Sequence, residues 1–226
     1  MSRKRREMVH GRKNARRLRE RKPRYLVVSG GAVTEKWYFK TLASLCGVII
    51  DYEQKNLSPS QLAKLACRLK DEADRDGSVD SYVKVWVVVD VDAFHDHLEA
   101  EKICRGRDGV ELIISNPCFE VWLLDHKRTC PQSCTQTAMV EKLAIAEGVT
   151  EGNRGKFICS EILDKTHIMN AVDNARRHNG ARGADGRRQL IPNHEQKYAP
   201  WTDMPSVINE LGKYLKDAAD SGQSQR

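Results

Sequence analysis

The feature that most constrains the fold is an apolar run that ends in two carboxylates. Residues 85–89 read VWVVV, and Asp90 and Asp92 follow with one residue between them. Short runs of β-branched and aromatic residues are typical of strands that are buried on both faces in parallel sheets. Alternate residues of an extended chain point the same way, so the two carboxylates can converge. The pattern predicts either a site for a hard cation such as Mg²⁺, or simply a loop or helix cap that begins with acids.

Strands and helices are predicted to alternate on both sides of this run. The four predicted strands cover residues 25–29, 48–52, 85–90 and 110–115. Three helices are predicted between them: one from Glu35 with Thr34 as its cap, one from Pro59 with Ser58 as its cap, and one over residues 95–104. This alternation predicts right-handed βαβ units and a largely parallel sheet. The residues that directly follow the strands, Gly30, Asp90, Asp92 and Ser115, are therefore expected to line one rim.

The pattern becomes helical after the fourth strand. Helices are predicted to start at Asn116 and to cover residues 136–147, 157–178 and 204–216, and Trp201 is expected to pack inside. A Gly- and Arg-rich loop over 179–188 is expected to be mobile. We therefore predict an α/β core over residues 25–126 and a helical C-terminal extension over 127–226 that packs on it.

The first 24 residues form a strongly basic arm. They contain twelve Lys or Arg and two Glu, a net charge of +10, whereas the whole chain carries +7 and the remainder therefore −3. We expect this arm to be disordered. A basic arm attracts the phosphate backbone of nucleic acid without sequence preference, although it can also serve as a solubilising tail or a protein-docking segment. It has no aromatic residue on which a base would stack.

Composition predicts a cytoplasmic protein. The seven cysteines are an odd number at scattered positions, which favours a reducing compartment over a disulfide framework. The N-terminus is charged and has no apolar segment of the kind that signal peptides contain. No apolar stretch approaches the length of a membrane span, so no membrane association is expected.

Three segments in order resemble the RloB family, which is found in bacterial defence and restriction-linked loci. They read SGGAVTEKWYF over residues 29–39, VDVDAF over 89–94 and SNPCFEVWLL over 115–124. The third is the most specific of the three, and the resemblance covers most of residues 24–216. Members of the family resemble Toprim-fold nucleases, and the predicted order of strands and helices suits a Toprim-like core.

The resemblance implies a metal-dependent phosphodiesterase. Asp90 and Asp92 match the Asp-x-Asp pair that holds Mg²⁺ or Mn²⁺ around a scissile phosphate. The substrate would be RNA, including tRNA, or DNA, and the setting would be antiphage defence. The family also implies an ATPase subunit encoded nearby, since this chain has no Gly-Lys-Ser/Thr phosphate-binding loop of its own.

The chain departs from the family pattern at one position. The usual Glu-Gly pair after the first strand is Gly30-Gly31 here, so the expected catalytic glutamate has no side chain. Glu35 and Glu120 are the candidates to compensate for it. A degenerate subunit that binds nucleic acid or a partner ATPase without cleaving is the alternative function.

Two further groups of residues suggest chemistry more weakly. His95 and His97 follow the Asp pair and are candidates for a base or a phosphate donor, or else are exposed residues at a helix start. His126, Cys130 and Cys134 have a four-residue spacing that suits zinc, but Pro131 interrupts the spacing and a fourth ligand is missing.

Overall fold

The computed structural model describes residues 21–31, 33–75, 81–91, 94–152, 157–180 and 190–215. The basic arm up to residue 20, Asp92 and residues 181–189 of the Gly- and Arg-rich loop lie outside the described residues. Among the described residues, no helix is both long and apolar enough to cross a membrane.

A mostly parallel sheet forms the centre of the described structure. The strands are β1 (Arg24–Ser29), β2 (Ile49–Gln54), β3 (Lys84–Asp90), β4 (Val110–Asn116), β5 (Thr150–Glu151), β6 (Phe157–Ile158) and β7 (Trp201–Thr202). Within the described ranges, the order across the main sheet is β2-β1-β3-β4-β7. Strand β7 runs antiparallel to β4, and the other neighbours are parallel. Strands β5 and β6 form a separate antiparallel pair.

Helices cover both faces of the main sheet. They are α1 (Thr34–Cys46), α2 (Pro59–Arg75), α3 (His97–Arg105), α4 (Glu120–Asp125), α5 (Thr137–Ala146), α6 (Lys165–Gly180) and α7 (Met204–Leu211). Short 3-10 turns at Ser160–Ile162, Glu195–Tyr198 and Gly212–Tyr214 complete the described elements. The predicted α/β class with a largely parallel sheet, flanking helices and a helical C-terminal part is confirmed.

The central strands feed two separate apolar cores because their side chains alternate between the faces. Trp86 and Val88 of β3 lie in the core that also contains α1 and α4 to α7. Val85 and Val87 lie in the other core, which α2 and α3 cover. Burial on both faces explains why residues 85–89 are continuously apolar rather than alternating. The division into units at residue 126 stays a prediction, although residues from both sides of it share the first core.

Four local predictions were wrong. Thr34 is the first residue of α1 and not its cap, because the carbonyl of Val33 already accepts the amide of Trp37 at 3.0 Å. Strand β4 continues through Asn116, which pairs with Trp201, and the helix begins only at Glu120. The helix predicted from residue 157 begins at Lys165, since residues 157–158 form β6. Helix α7 ends at Leu211 and gives way to a 3-10 turn.

Asp96 caps α2 from a distant part of the chain. Its Oδ2 accepts hydrogen bonds from the backbone amide of Ser60 at 3.0 Å and from the hydroxyl of Ser58 at 2.7 Å. Burial alone would raise the pKa of Asp96, but the hydrogen bonds from Ser60 and Ser58 outweigh it and lower that pKa. Helix α2 therefore begins at Pro59 as predicted. Its free backbone amide at Ser60, however, is bonded by the Asp96 carboxylate and not by the predicted cap, Ser58.

His126 is a buried, neutral histidine below the first core. It is 1% exposed, its Nδ1 donates to the carbonyl of Trp122 at 3.0 Å, and the hydroxyl of Tyr38 lies 3.5 Å from its Nε2. Burial lowers the pKa of His126 to about 4. Both ring nitrogens are therefore committed to the packing of α4 against α1.

Replacement of Asp96 by Ala should lower the free energy of unfolding by about 1–2 kcal/mol, because the first turn of α2 loses its cap. Urea unfolding followed by circular dichroism measures this difference. Asp108→Ala is the matched control, since Asp108 is exposed and its carboxylate has no described partner. Equal stability of the Asp96→Ala variant and the wild type would contradict the capping role.

His126 should make the native state sensitive to acid. In the unfolded chain the His126 imidazole is protonated below its ordinary pKa of about 6.5. In the native state it is protonated only below about pH 4. The free energy of unfolding should therefore fall as the pH falls through this window, by at most about 3 kcal/mol. His126→Gln should be less stable at neutral pH and should lose less stability on acidification. The exposed residue His194, replaced by Gln, is the control. Parallel curves of melting temperature against pH for the wild type and His126→Gln would refute this assignment.

Candidate active site at the carboxyl edge of the sheet

The carboxyl ends of β1, β3 and β4 meet at one edge of the sheet. The register pairs Asp90, the last residue of β3, with Ser115 of β4, and pairs Ser29, the last residue of β1, with Val88. Strand alignment thus fixes the main chain of Asp90 beside the buried Ser115. The half-buried Asp90 side chain lines a cavity at this edge.

The turn after β1 holds a carboxylate that belongs to the next helix. The hydroxyl of Ser29 accepts the amide of Gly31 at 3.0 Å, and the hydroxyl of Tyr52 donates to the carbonyl of Gly31 at 2.9 Å. A Cβ atom at Gly31 would overlap the carboxylate of Glu35, which folds back from the first turn of α1. Glycine at this position therefore lets the Glu35 carboxylate lie directly against the main chain of the turn.

Gly30 leaves room for a side chain. An added Cβ atom would meet nothing closer than the carbonyl oxygen of Lys55 at 3.9 Å, and the backbone there does not have a positive φ. The position at which the family resemblance leads us to expect a glutamate therefore has room for a Cβ atom. This position faces the same cavity as Glu35 and Asp90.

Glu120 enters the cavity from the segment that follows β4. It is the first residue of α4 and is only 4% exposed. Burial first, and then the negative charges of Glu120 and Asp90, hold the pKa of the Cys118 thiol well above its ordinary value. Cys118 is thus a buried, neutral thiol that lines the same cavity, and it is not poised as a nucleophile.

The cavity has a volume of about 420 Å³, and its walls bring four acids together. Glu35, Asp90 and Glu120 were singled out from the sequence, and Glu141 of α5 was not. The position of α5 over this rim is a tertiary feature, so no sequence motif marks Glu141. Burial first, then Glu35, with Asp90 adding to it, raises the pKa of Tyr52, which shows that these charges act on one neighbourhood.

His97 secures the main chain of Asp90 and does not line the cavity. It is fully buried, and its Nε2 donates to the carbonyl of Asp90 at 2.9 Å. Its Nδ1 lies 3.9 Å from the carboxylate of Glu195, which is itself 2% exposed and also lies 3.5 Å from Nδ1 of His95. The expectation of an exposed histidine was wrong for His97, whereas His95 is half exposed.

The residues considered for zinc do not form a zinc site. His126 is committed to Trp122 and Tyr38, and Cys130 and Cys134 are buried free thiols beside it. Across the described ranges, no group of three or more His, Cys, Asp or Glu side chains is arranged to hold a metal ion.

The described acids of the cavity do not form a complete metal site by themselves. Asp92, one of the two expected ligands, lies outside the described residues, so the pairing of Asp90 with Asp92 stays a prediction. Mg²⁺ commonly takes one or two protein carboxylates and keeps waters or substrate phosphates as its other ligands. Asp90, at the end of β3, would supply one such carboxylate, whereas an all-protein cage is not present among the described side chains.

One of the comparisons with known proteins identifies a family, and the other two find no match. The family model described as RloB-like protein matches residues 25–211, which is most of the chain and includes every described element that lines the cavity. Neither the curated proteins nor the solved structures contain a significant match to the chain. The predicted RloB resemblance is confirmed, and the chain belongs to the RloB-like family.

Proposed function

We propose that this chain is a nuclease that depends on Mg²⁺ or Mn²⁺ and cleaves phosphodiester bonds in RNA or DNA. One observation carries the proposal: carboxylates from β3, α1 and α4, which are remote in sequence, line a single cavity at the carboxyl edge of the sheet. Like charges in one pocket repel one another, and a bound cation would offset that repulsion. Family membership and the basic arm support a nucleic-acid substrate.

Each carboxylate has a separate task in this proposal. Asp90 and Asp92 would hold the metal, which when bound supplies charge stabilisation to the phosphoryl oxygens. Glu35 would accept the proton of the attacking water at a carboxylate oxygen, in place of the glutamate that Gly30 lacks. Glu120 would orient the reacting groups from the opposite wall. His97 and Glu195 would act at a distance, because they fix the main chain of Asp90.

A role in antiphage defence and a neighbouring-encoded ATPase partner are part of the same proposal. Their support is membership in the RloB-like family. In that setting the cationic arm would attract nucleic acid and the ATPase would supply the nucleotide-driven step.

The second candidate function is a non-cleaving subunit that binds nucleic acid or the ATPase. Gly30 favours it, because position 30, where the family pattern has a glutamate, has no side chain. In this case the acids of the cavity would be the remains of a metal site, and binding would be the whole activity.

Cleavage of labelled tRNA, single-stranded RNA and DNA in Mg²⁺ or Mn²⁺ tests the proposal. Asp90→Asn should lower the cleavage rate by about 100-fold or more, since metal charge stabilisation is worth several kcal/mol. Asp108→Asn, on an exposed carboxylate outside the cavity, should cleave like the wild type. Calorimetric titration should show that Mn²⁺ binds Asp90→Asn more weakly than it binds the wild type or Asp108→Asn.

Gly30→Glu separates the two candidate functions. A Cβ atom at position 30 has room, so we expect this variant to fold like the wild type. An inactive wild type beside an active Gly30→Glu variant would establish the non-cleaving subunit. If all the proteins, including Gly30→Glu, leave every substrate intact, the chain is not a nuclease on its own.

A further inference from the structure

The acidic cavity also has apolar lining residues. Val33, Leu57, Pro59 and Phe94 line it together with the carboxylates. Its volume of about 420 Å³ lies within the range of pockets that hold one small organic group. A hydrated cation alone would need neither this volume nor these apolar walls.

Two of these apolar residues are substantially exposed, and an exposed tryptophan lies near one of them in the chain. Phe94 is 39% exposed and Val33 is 44% exposed at the cavity wall. Trp37 is 40% exposed and lies one helical turn beyond Val33, whose carbonyl accepts its amide at 3.0 Å. Large exposed apolar side chains that group beside a pocket mark a surface that binds something.

An unpaired nucleotide suits both the apolar and the acidic lining of the cavity. Its base is a flat apolar face that stacks on aromatic rings, and its phosphate brings the charge that a cation on the carboxylates would meet. A base inside a duplex is already stacked and cannot enter a pocket unless it is extruded. The twelve Lys and Arg of the arm supply attraction for the rest of the strand.

We propose that the cavity binds one unpaired nucleotide of a single-stranded nucleic acid, with its base against Phe94 and with Trp37 extending the stacking surface. The placement of the phosphate rests on the nuclease function proposed above. The docking of the base does not, because it requires no cleavage. RNA and DNA share the chemistry that this site would recognise.

Binding of fluorescent oligonucleotides to the full chain in Ca²⁺, measured by anisotropy, tests this proposal. Four probes are compared: single-stranded RNA, single-stranded DNA, a duplex of the same sequence, and the single strand with abasic sites. The wild type should prefer the intact single strand to the abasic strand and to the duplex. Phe94→Ala should weaken binding of the intact strand by about 5- to 100-fold and abolish the preference over the abasic strand, as expected for a lost stacking contact.

The controls separate stacking from general effects. Phe157→Ala removes a 59% exposed phenylalanine that does not line the cavity, and should bind like the wild type. Phe94→Leu keeps an apolar side chain without the ring and should bind almost as weakly as Phe94→Ala. Trp37→Ala should weaken binding less than Phe94→Ala does. Circular dichroism of each variant confirms that it is folded.

Two results would overturn the base-binding proposal: equal affinity of the wild type for the single strand and the duplex, or wild-type affinity in Phe94→Ala. Its failure is distinct from failure of the nuclease proposal. Cleavage that requires Asp90, together with binding that ignores Phe94, would leave the nuclease and remove the base site. Binding that requires Phe94 without cleavage of any substrate would do the reverse.

Discussion

The parallel register of β1, β3 and β4 is the constraint on which the rest of the structure depends. Parallel neighbours end on the same side, and burial on both faces prevents any strand from slipping without moving apolar residues to the wrong core. Asp90 therefore has a fixed place at the edge, beside Ser115 of β4. Every candidate side chain from the flanking helices is positioned relative to that edge. The chemistry proposed for the cavity therefore depends first on the alignment of the strands, because that alignment sets where the side chains lie.

Tethers on either side hold the segment after β3 to the body of the protein. Asp96 is bonded to the start of α2, and His97 is bonded to the main chain of Asp90 and lies beside the buried Glu195. Residues 94–97 thus connect the strand end, the helix on one face and the C-terminal part. The carboxylate of Asp90 is carried by a main chain that several buried groups restrain, which is the condition for precise ligand placement.

The sequence allowed the prediction of what periodicity and local chemistry determine. The buried strand before Asp90, the helix from Pro59 and the place of Gly30 and Asp90 at one rim follow from patterns within the chain, whereas Glu35 and Glu120 were candidates only through the family resemblance. Glu141 and the hydrogen bond from His97 did not follow from such patterns, because they depend on how α5 and the C-terminal segment fold back. Strand β7 was missed for the same reason: two residues, Trp201 and Thr202, form a strand only because β4 lies beside them. The metal role of Asp90 and Asp92 stays a prediction.

Because glycines follow β1, the acid at this turn is carried by α1 and not by the strand. A glutamate at position 30 would be attached to the end of a strand, whose position the sheet fixes. Glu35 instead reaches the turn from α1, and Gly31 leaves the space that its carboxylate fills. The placement of this acid thus depends on how α1 sits against the sheet, through buried residues such as Tyr38 and Phe39. A small shift of α1 would move the Glu35 carboxylate toward the cavity or away from it. The buried contacts that hold α1 against the sheet therefore determine where this charge lies.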